Sequence, residues 1–385
     1  MRDVAIIGVG QTPVGEHWES SLRSLATDAI HAALEDAGTD QVDALYVGNA
    51  FGATISSQSH LGALIADHAG LAGIEAWAVD AADASGGAAL RAGYLAVASG
   101  AVDTAIVVGV EKSTDMLGSA RVRARNTALD ADYEAIHGAT LTALAALLMR
   151  RYMEEYGVEL SAFEGFSVNA HANGSKNANA MFRNTLKPGS FARSPMVAEP
   201  VGLFDSAPDA DGAAAVVLTT AERAADLSPH PVRLSASAVA TSRFALQDRQ
   251  DMLFLSAASQ SASLAYAQAG ISPDDVNLFE LHDAFTILAA LSLEACGFAE
   301  RGQGWRLAQE GAIGLDGRLP ISTFGGLKSR GNPVGAAGVY QAVEACLQLR
   351  GEAGPNQVSG ARTALIQSLG GLGSTAVTHV LQALV

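Results

Sequence analysis

The sequence predicts a duplicated α/β protein. Three observations carry that reading. Short, near-continuous apolar runs alternate with amphipathic helical segments, the pattern of strands buried on both faces by helices. The alternation repeats in the second half of the chain in the same order. Between the halves lies one long stretch where the rhythm breaks and helices dominate.

In order, Val4-Ala5-Ile6-Ile7-Gly8-Val9-Gly10 reads as a buried strand. Its Gly-Val-Gly is too short for a dinucleotide fingerprint, since no further glycine completes the pattern. Leu22 to Ala37 is an amphipathic helix stopped by Gly38. Val42 to Val47 is a strand and Gln58 to Ala69 a helix. Ala76-Trp77-Ala78-Val79-Asp80 reads as a buried, central strand. It leads into Ala81-Ala82-Asp83-Ala84-Ser85-Gly86-Gly87 and an Ala-rich helix that runs to Gly100. Thr104 to Glu111 is another apolar strand. From about Lys112 to Val201 an inserted loop domain is expected, with helices over Leu141 to Tyr156 and Ser161 to Asn179. Strands resume at Ala213 to Leu218.

Pro and Ser punctuate Leu227 to Pro231, which marks a boundary between halves. The expected division is residues 1–230, with the insertion at about 112–200, and 231–385. In the second half, Val232 to Val239 is a strand, Ser256 to Ala269 a helix, Val276 to Leu281 a strand and Ala284 to Gly297 a helix. Gly335 to Leu349 is a helix, and Thr363 to Ile366 and Thr375 to Leu381 are strands.

Composition bounds the function. The 385 residues are 49% hydrophobic and 17% charged, enough for a large core and too apolar for disorder. The net charge is −16, with four lysines against 20 arginines, which argues against nucleic-acid binding. Residues 112–193 hold 10 of the 24 basic residues against 8 acidic ones, a local balance of +2, so the remainder carries −18. Either an anionic ligand lands on that stretch or it is a solvated face of mixed charge. Cys296 and Cys346 lie in apolar helical patterns and read as small buried side chains. The N-terminus runs straight into a strand, and no continuous apolar stretch reaches membrane-spanning length. No signal peptide, no membrane span and a cytoplasmic location are the expectations.

Asp83 is the residue that most needs an explanation. A sharp strand-to-helix turn, with small residues on either side, suits a nucleophile or an anionic intermediate above the helix N-terminus. It equally suits an aspartate that only caps the helix. The turn resembles the nucleophile turn of the thiolase superfamily, which reads roughly Cys-Ala-Ser/Thr-Gly and whose cysteine takes up the acyl group. Three more stretches carry the same resemblance. Leu281-His282-Asp283-Ala284-Phe285-Thr286 is similar to the His-Asp-Cys-Phe signature of the sterol-carrier-type branch. Thr323 to Gly338, containing Gly325-Gly326-Leu327-Lys328-Ser329-Arg330-Gly331-Asn332-Pro333, is similar to the family's Gly-Gly-Leu-Lys-Ala-Arg-Gly-His-Pro loop. Gln367-Ser368-Leu369-Gly370-Gly371 is similar to its C-terminal Gly-rich turn. The resemblance spans essentially the whole chain. It points to the sterol-carrier-type and archaeal-type acetyl-CoA acetyltransferase branch.

The resemblance implies a five-layer αβαβα fold, a CoA thioester as substrate, no permanently bound cofactor and no metal. It also implies a homodimer or a tetramer, and a small zinc-ribbon and OB-fold protein as a possible partner. It implies four catalytic positions: Asp83 at the cysteine, Asn332 at the histidine of Gly-His-Pro, Ser368 at the C-terminal cysteine, and His282, which alone keeps the family residue. Arg183, Lys187, Gly325 and Gly326 are the candidate CoA-binding residues.

The replacements change the chemistry. A thiolate is both nucleophile and leaving group, whereas a carboxylate attacks a thioester slowly. Asn332 cannot act as a general base, and a carboxylate at 83 needs none. An Asp83–Asn332 hydrogen bond is expected. His282 is read as an oxyanion donor, or else as a core histidine satisfied by a backbone carbonyl. Asn332 and Pro333 also read as a helix N-cap and its first residue. Two functional readings stay open. One is carbon–carbon bond chemistry on acyl-CoA without an acyl-enzyme, such as retro-aldol cleavage or decarboxylation. The other is a catalytically silent CoA-binding or scaffolding subunit. Steroid side-chain aldolases of the same fold also lack the cysteine, but resemble this chain poorly over 324–338.

Overall fold

The computed structural model describes residues 1–384. Its elements run β1 (Val4–Gln11), α1 (Leu22–Ala37), β2 (Ala44–Gly48), α2 (Gly52–Ile55), α3 (Leu61–His68), β3 (Glu75–Val79), α4 (Ser85–Ser99) and β4 (Thr104–Glu111). The insertion follows as α5 (Gly118–Arg125), α6 (Leu141–Tyr156), α7 (Glu164–Gly174), β5 (Met196–Ala198) and β6 (Val201–Gly202). Then come β7 (Gly212–Thr220), α8 (Ala221–Leu227), β8 (Val232–Thr241), α9 (Ser256–Ala269), β9 (Leu278–Glu280), α10 (Thr286–Ala295), α11 (Gly304–Gln309), α12 (Ala337–Arg350), β10 (Thr363–Gly370) and β11 (Thr375–Ala383).

Nine strands hydrogen-bond in the order β3-β2-β4-β7-β1-β8-β11-β10-β9. The middle of this sheet is thin. β1 meets β8 only through Ala5–Arg233 and Ile6–Val232, whereas β1–β7 and β8–β11 pair along most of their lengths. Two half-sheets result, and they repeat one another. In each, an early strand runs parallel to its neighbour (β2 with β4, β9 with β10), and that neighbour and the remaining strands pair antiparallel. The counterpart of β3 in the second half has shrunk to one parallel bridge, Phe279 with Ile321.

Helices complete five layers. α1 and α3 cover the outer face of the first half-sheet and α9 that of the second. α4 and α12 pack on each other between them and touch both half-sheets. The continuous apolar strands follow from this. In β4, Ile106, Val108 and Val110 join the outer core with Leu25, Ile30 and Leu45, while Ala105 and Val107 join the central one with Leu90, Val97 and Val343.

The structure corrects several expectations. β3 is an edge strand, not a buried central one. Nothing pairs with its far side among the described residues, so Trp77 is 61% exposed and its indole N–H is bonded only to Glu75 Oε1 at 2.9 Å. The helix expected over Ser161 to Asn179 is a 3₁₀ turn, Leu160–Phe163, followed by α7, which ends at Gly174. α12 begins at Ala337 rather than beside Asn332. The insertion belongs to the first half by sequence, yet packs on the second. Leu144, Leu148, Phe163 and Phe166 share one core with Leu288, Leu291 and Leu307. No helix among the described residues is long and apolar enough to cross a membrane.

Candidate active site

The turn after β3 is built from short side chains. Asp80 Oδ1 accepts the N–H of Ala82 at 2.9 Å. Ala82 sits at φ +52°, a strained value for a residue with a Cβ. Ser85 Oγ accepts from Ala81 N and donates to Ala82 O at 2.6 Å, closing the turn. The α4 N-cap is Ala84, with no side-chain cap, so Asp83 is not a capping aspartate. A Cβ on Gly86 would stand 2.7 Å from the carbonyl oxygen of Gly335, so the loop before α12 rests directly on the start of α4.

Asp83 is 2% exposed, and its carboxylate turns to a cation. Arg125, the last residue of α5, donates from Nη2 to Asp83 Oδ1 at 3.2 Å. The same guanidinium donates from Nη1 to Asp209, which also receives Arg121 Nε at 3.0 Å. Arg125 therefore bridges two carboxylates, with its planar head 5.9 Å from the centre of the Phe51 ring. Burial works against its charge, but Asp209 and Asp83 outweigh that and raise its pKa. The second oxygen, Asp83 Oδ2, is buried without a partner among the described residues.

Asn332 lies beside Asp209, not on Asp83. Asn332 N donates to Pro208 O at 3.1 Å and Ala210 N to Asn332 O at 3.2 Å. Its side-chain oxygen accepts the N–H of Val334 at 3.0 Å, which folds the loop back and holds Val334 at φ +34°. The expected Asp83–Asn332 hydrogen bond is thus not formed; Arg125 takes that place. Two strained non-glycine residues, Ala82 and Val334, flank the site.

His282 follows β9 and is 1% exposed. Among the described residues its Nδ1 has no partner, so it is not a core histidine satisfied by a carbonyl. Burial lowers its pKa, and the charges of Asp83 and Asp283 oppose the shift without cancelling it. The ring is a neutral imidazole at neutral pH, close enough to Asp83 for the two to interact electrostatically. Ser368, on β10, donates to Gln341 Oε1 at 2.9 Å. It is wedged between the central helices. Cβ atoms on Gly87 and Gly338 would stand 3.0 and 2.6 Å from its Oγ.

Glu111 buttresses the same floor and was not singled out from sequence. It accepts from Ala50 N (2.9 Å), Phe51 N (3.2 Å), Gly335 N (3.1 Å) and Asn49 Nδ2 (3.0 Å). Burial raises its pKa to about 7 despite these donors. Arg121, Arg125 and Asp209 were missed too. Their signal is arginines spaced along one short helix, and an aspartate two before Asp211.

Of two cavities in this part of the chain, only the smaller borders the turn. One of about 460 Å³ lies between the insertion and the body, walled by Phe182, Leu186, Phe204 and Pro208, with Lys187 and Lys328 in its lining. One of about 250 Å³ is lined by Phe51, Ala81, Ala82, Thr127, Phe244 and Gly370. Lys187 reaches the first; Arg183 is exposed nearby on the same segment. Gly325 and Gly326 are buried at φ +106° and +52°. A Cβ on them would meet Gly174 Cα at 2.8 Å and Asp283 Oδ2 at 2.4 Å, so both face protein atoms. Neither cysteine offers a ready thiolate. Cys296 and Cys346 are free and buried, with pKa values pushed up to about 12 by burial.

The model "Thiolase, N-terminal domain" matches residues 4–222, and "Thiolase C-terminal domain-like" matches 238–383. An acetyl-CoA acetyltransferase of Methanothermobacter thermautotrophicus is 44% identical over 382 residues, covering 99% of both chains. The benzoylsuccinyl-CoA thiolase subunit BbsB of Thauera aromatica is 32% identical over 93% of this chain and 91% of its own. A chain of the solved "Ltp2-ChsH2(DUF35) aldolase" superposes with a TM-score of 0.87 at 25% identity, covering 99% of this chain and 98% of that one. With both domain models matched in order and a relative aligned end to end, the chain belongs to the thiolase family, as an acyl-CoA acyltransferase-like member.

Proposed function

We propose that this chain makes or breaks a carbon–carbon bond on a CoA thioester without forming an acyl-enzyme. The observation that carries the reading is the Asp83–Arg125–Asp209 bridge. A nucleophile must be free to approach a thioester carbon and then to leave it. Asp83 is tied by one oxygen to a guanidinium and keeps the other, Oδ2, without a partner. That arrangement suits a base. In retro-aldol cleavage, Oδ2 takes the proton of a β-hydroxyl, the Cα–Cβ electrons move into an enolate of the thioester, and an aldehyde or ketone departs. His282, neutral and buried, supplies an N–H to the enolate oxygen. The likeness to a solved aldolase supports this direction.

CoA would reach the site through the 460 Å³ cavity. Lys187, and Arg183 beside it, would meet the phosphates. Pro208, whose carbonyl holds Asn332, is part of its lining. The unpaired edge of β3 suits a homodimer, or a tetramer built from dimers. A small zinc-ribbon and OB-fold partner is in keeping with a relative that is itself a thiolase subunit and a neighbour solved with ChsH2(DUF35).

One feature favours the second reading, a silent CoA-binding subunit. Asp83, His282, Asn332 and Ser368 are each at most 2% exposed, closed off from solvent. Calorimetric titration with CoA, then a cleavage screen of β-hydroxyacyl-CoA thioesters, decides. Binding with cleavage that D83N and H282A abolish supports the lyase. Binding without cleavage of any β-hydroxyacyl- or malonyl-type thioester supports the silent subunit. No binding at millimolar CoA removes both. In the same titration, R183E/K187E should weaken CoA about tenfold or more, the loss of one or two charge-assisted phosphate contacts.

A further inference from the structure

We propose that Lys328 is a carbonyl-capturing amine, and that an aldehyde or ketone entering the 460 Å³ cavity condenses with its Nζ to give an imine. The inference does not depend on the reading of Asp83. It starts from an unusual piece of backbone. Gly326–Arg330 forms a single π-helical turn, a form that recurs at functional sites. Glycines at positive φ (Gly325, Gly326 and Gly331) bracket it. The turn carries Lys328 inward, where its side chain is 2% exposed and forms part of the cavity lining.

Among the described residues the amine has no counter-ion: no carboxylate lies within 4.0 Å of it, and its hydrogen bond goes to the backbone carbonyl oxygen of Asp205. The two carboxylates whose fields reach it are engaged elsewhere. Asp205 receives Thr286 Oγ1 at 2.5 Å and Gly202 N at 2.9 Å, and Asp283 receives Leu327 N at 2.7 Å and Ser322 Oγ at 3.2 Å. An ammonium buried this way is costly. Burial brings its pKa down to about 8, with Asp283 and Asp205 opposing. Roughly a tenth is then the free amine at pH 7.

The surroundings fit the chemistry. Phe182, Leu186, Leu203 and Phe204 make the walls apolar. His171 lines the same cavity, with Nδ1 3.2 Å from Asn184 O, so Nδ1–H donates and Nε2 is left with a lone pair. Burial lowers its pKa and keeps it neutral. The nitrogen lone pair attacks the carbonyl carbon, and the oxygen takes up a proton. The carbinolamine then loses that oxygen as water while nitrogen gives up its protons. Amine and carbonyl become imine and water, with no oxidant or reductant. His171 Nε2 is the available group to shuttle the proton. Lys187 at the rim is the other titratable group facing this space.

The chain has only four lysines, which makes the test clean. Lys112 is ion-paired to Asp115 and Asp211, and Lys176 and Lys187 are exposed. The full chain is incubated at pH 7 with propanal or benzaldehyde and cyanoborohydride, and labelling is mapped by peptide mass. The expected result is reductive alkylation at Lys328 at least tenfold faster than at Lys176 or Lys187. That preference should vanish when the chain is unfolded in guanidinium. K328R should lose only that adduct, and K187R should keep it. Labelling of Lys328 at less than tenfold the rate of the exposed lysines in wild-type protein overturns the proposal, whether or not K328R folds.

Discussion

Replacing Arg125 with Met isolates the bridge on which the site depends. The substitution keeps most of the side chain's length and removes the cation. Asp209 retains Arg121 at 3.0 Å, so the loss falls mainly on Asp83, whose side chain is 3% exposed. Removing one partner of a buried pair costs about 3–5 kcal/mol. Arg125 is 18% exposed, which places the expected loss near the low end, at about 3 kcal/mol. In a chain of this length that lowers Tm by roughly 4 °C. The control is R125M/D83N, which leaves no charge stranded and should recover about 2 kcal/mol as coupling in a double-mutant cycle. The assay is chemical denaturation of the four proteins. If R125M matches wild type, or if the two changes add within about 0.5 kcal/mol, the bridge is not an energetic unit and the reading of the site fails.

Two further outcomes follow from the loops around the site. G326A places a Cβ 2.4 Å from Asp283 Oδ2 at φ +52°, and should cost about 2–3 kcal/mol in urea denaturation; a neutral result would contradict the packing of the π-helical turn. Glu280 is pushed up to about 8, first by burial and then by the neighbouring Glu344. Its folded pKa lies above its unfolded one, so the folded chain binds the extra proton between about pH 4.5 and 8. Its contribution is whole below that window and is lost as pH rises through it. E280Q, a permanently neutral replacement, should flatten the fall in stability from pH 5 to 8; an unchanged slope would show that Glu280 does not titrate there.

Much of the fold is legible in the order of residues, because burial on both faces leaves a direct trace. The runs at Val4–Gly10 and Ala105–Val110 carry no polar side chain for that reason. The same logic misreads Ala76–Val79. Its composition is apolar, but the strand lies at an edge, and an edge is defined by what does not pair with it. The family of the chain was legible too, since the stretches that carry the resemblance are local strings. What holds Asp83 was not. Arg125 lies 42 positions away on a short helix, and only the placement of the insertion brings it to the turn. Nor does a string of letters show that Asn332 spends its side-chain oxygen on Val334, or that Gly325 and Gly326 open a π-helical turn.

The most direct measurement is thiolysis of acetoacetyl-CoA by free CoA, run with intact-mass detection of any acylated protein. With a carboxylate at 83 held by Arg125, and with both cysteines buried, the account predicts no turnover above the uncatalysed rate and no acyl adduct. Turnover at ordinary enzymatic rates, or an acyl group mapped to residue 83, would contradict it.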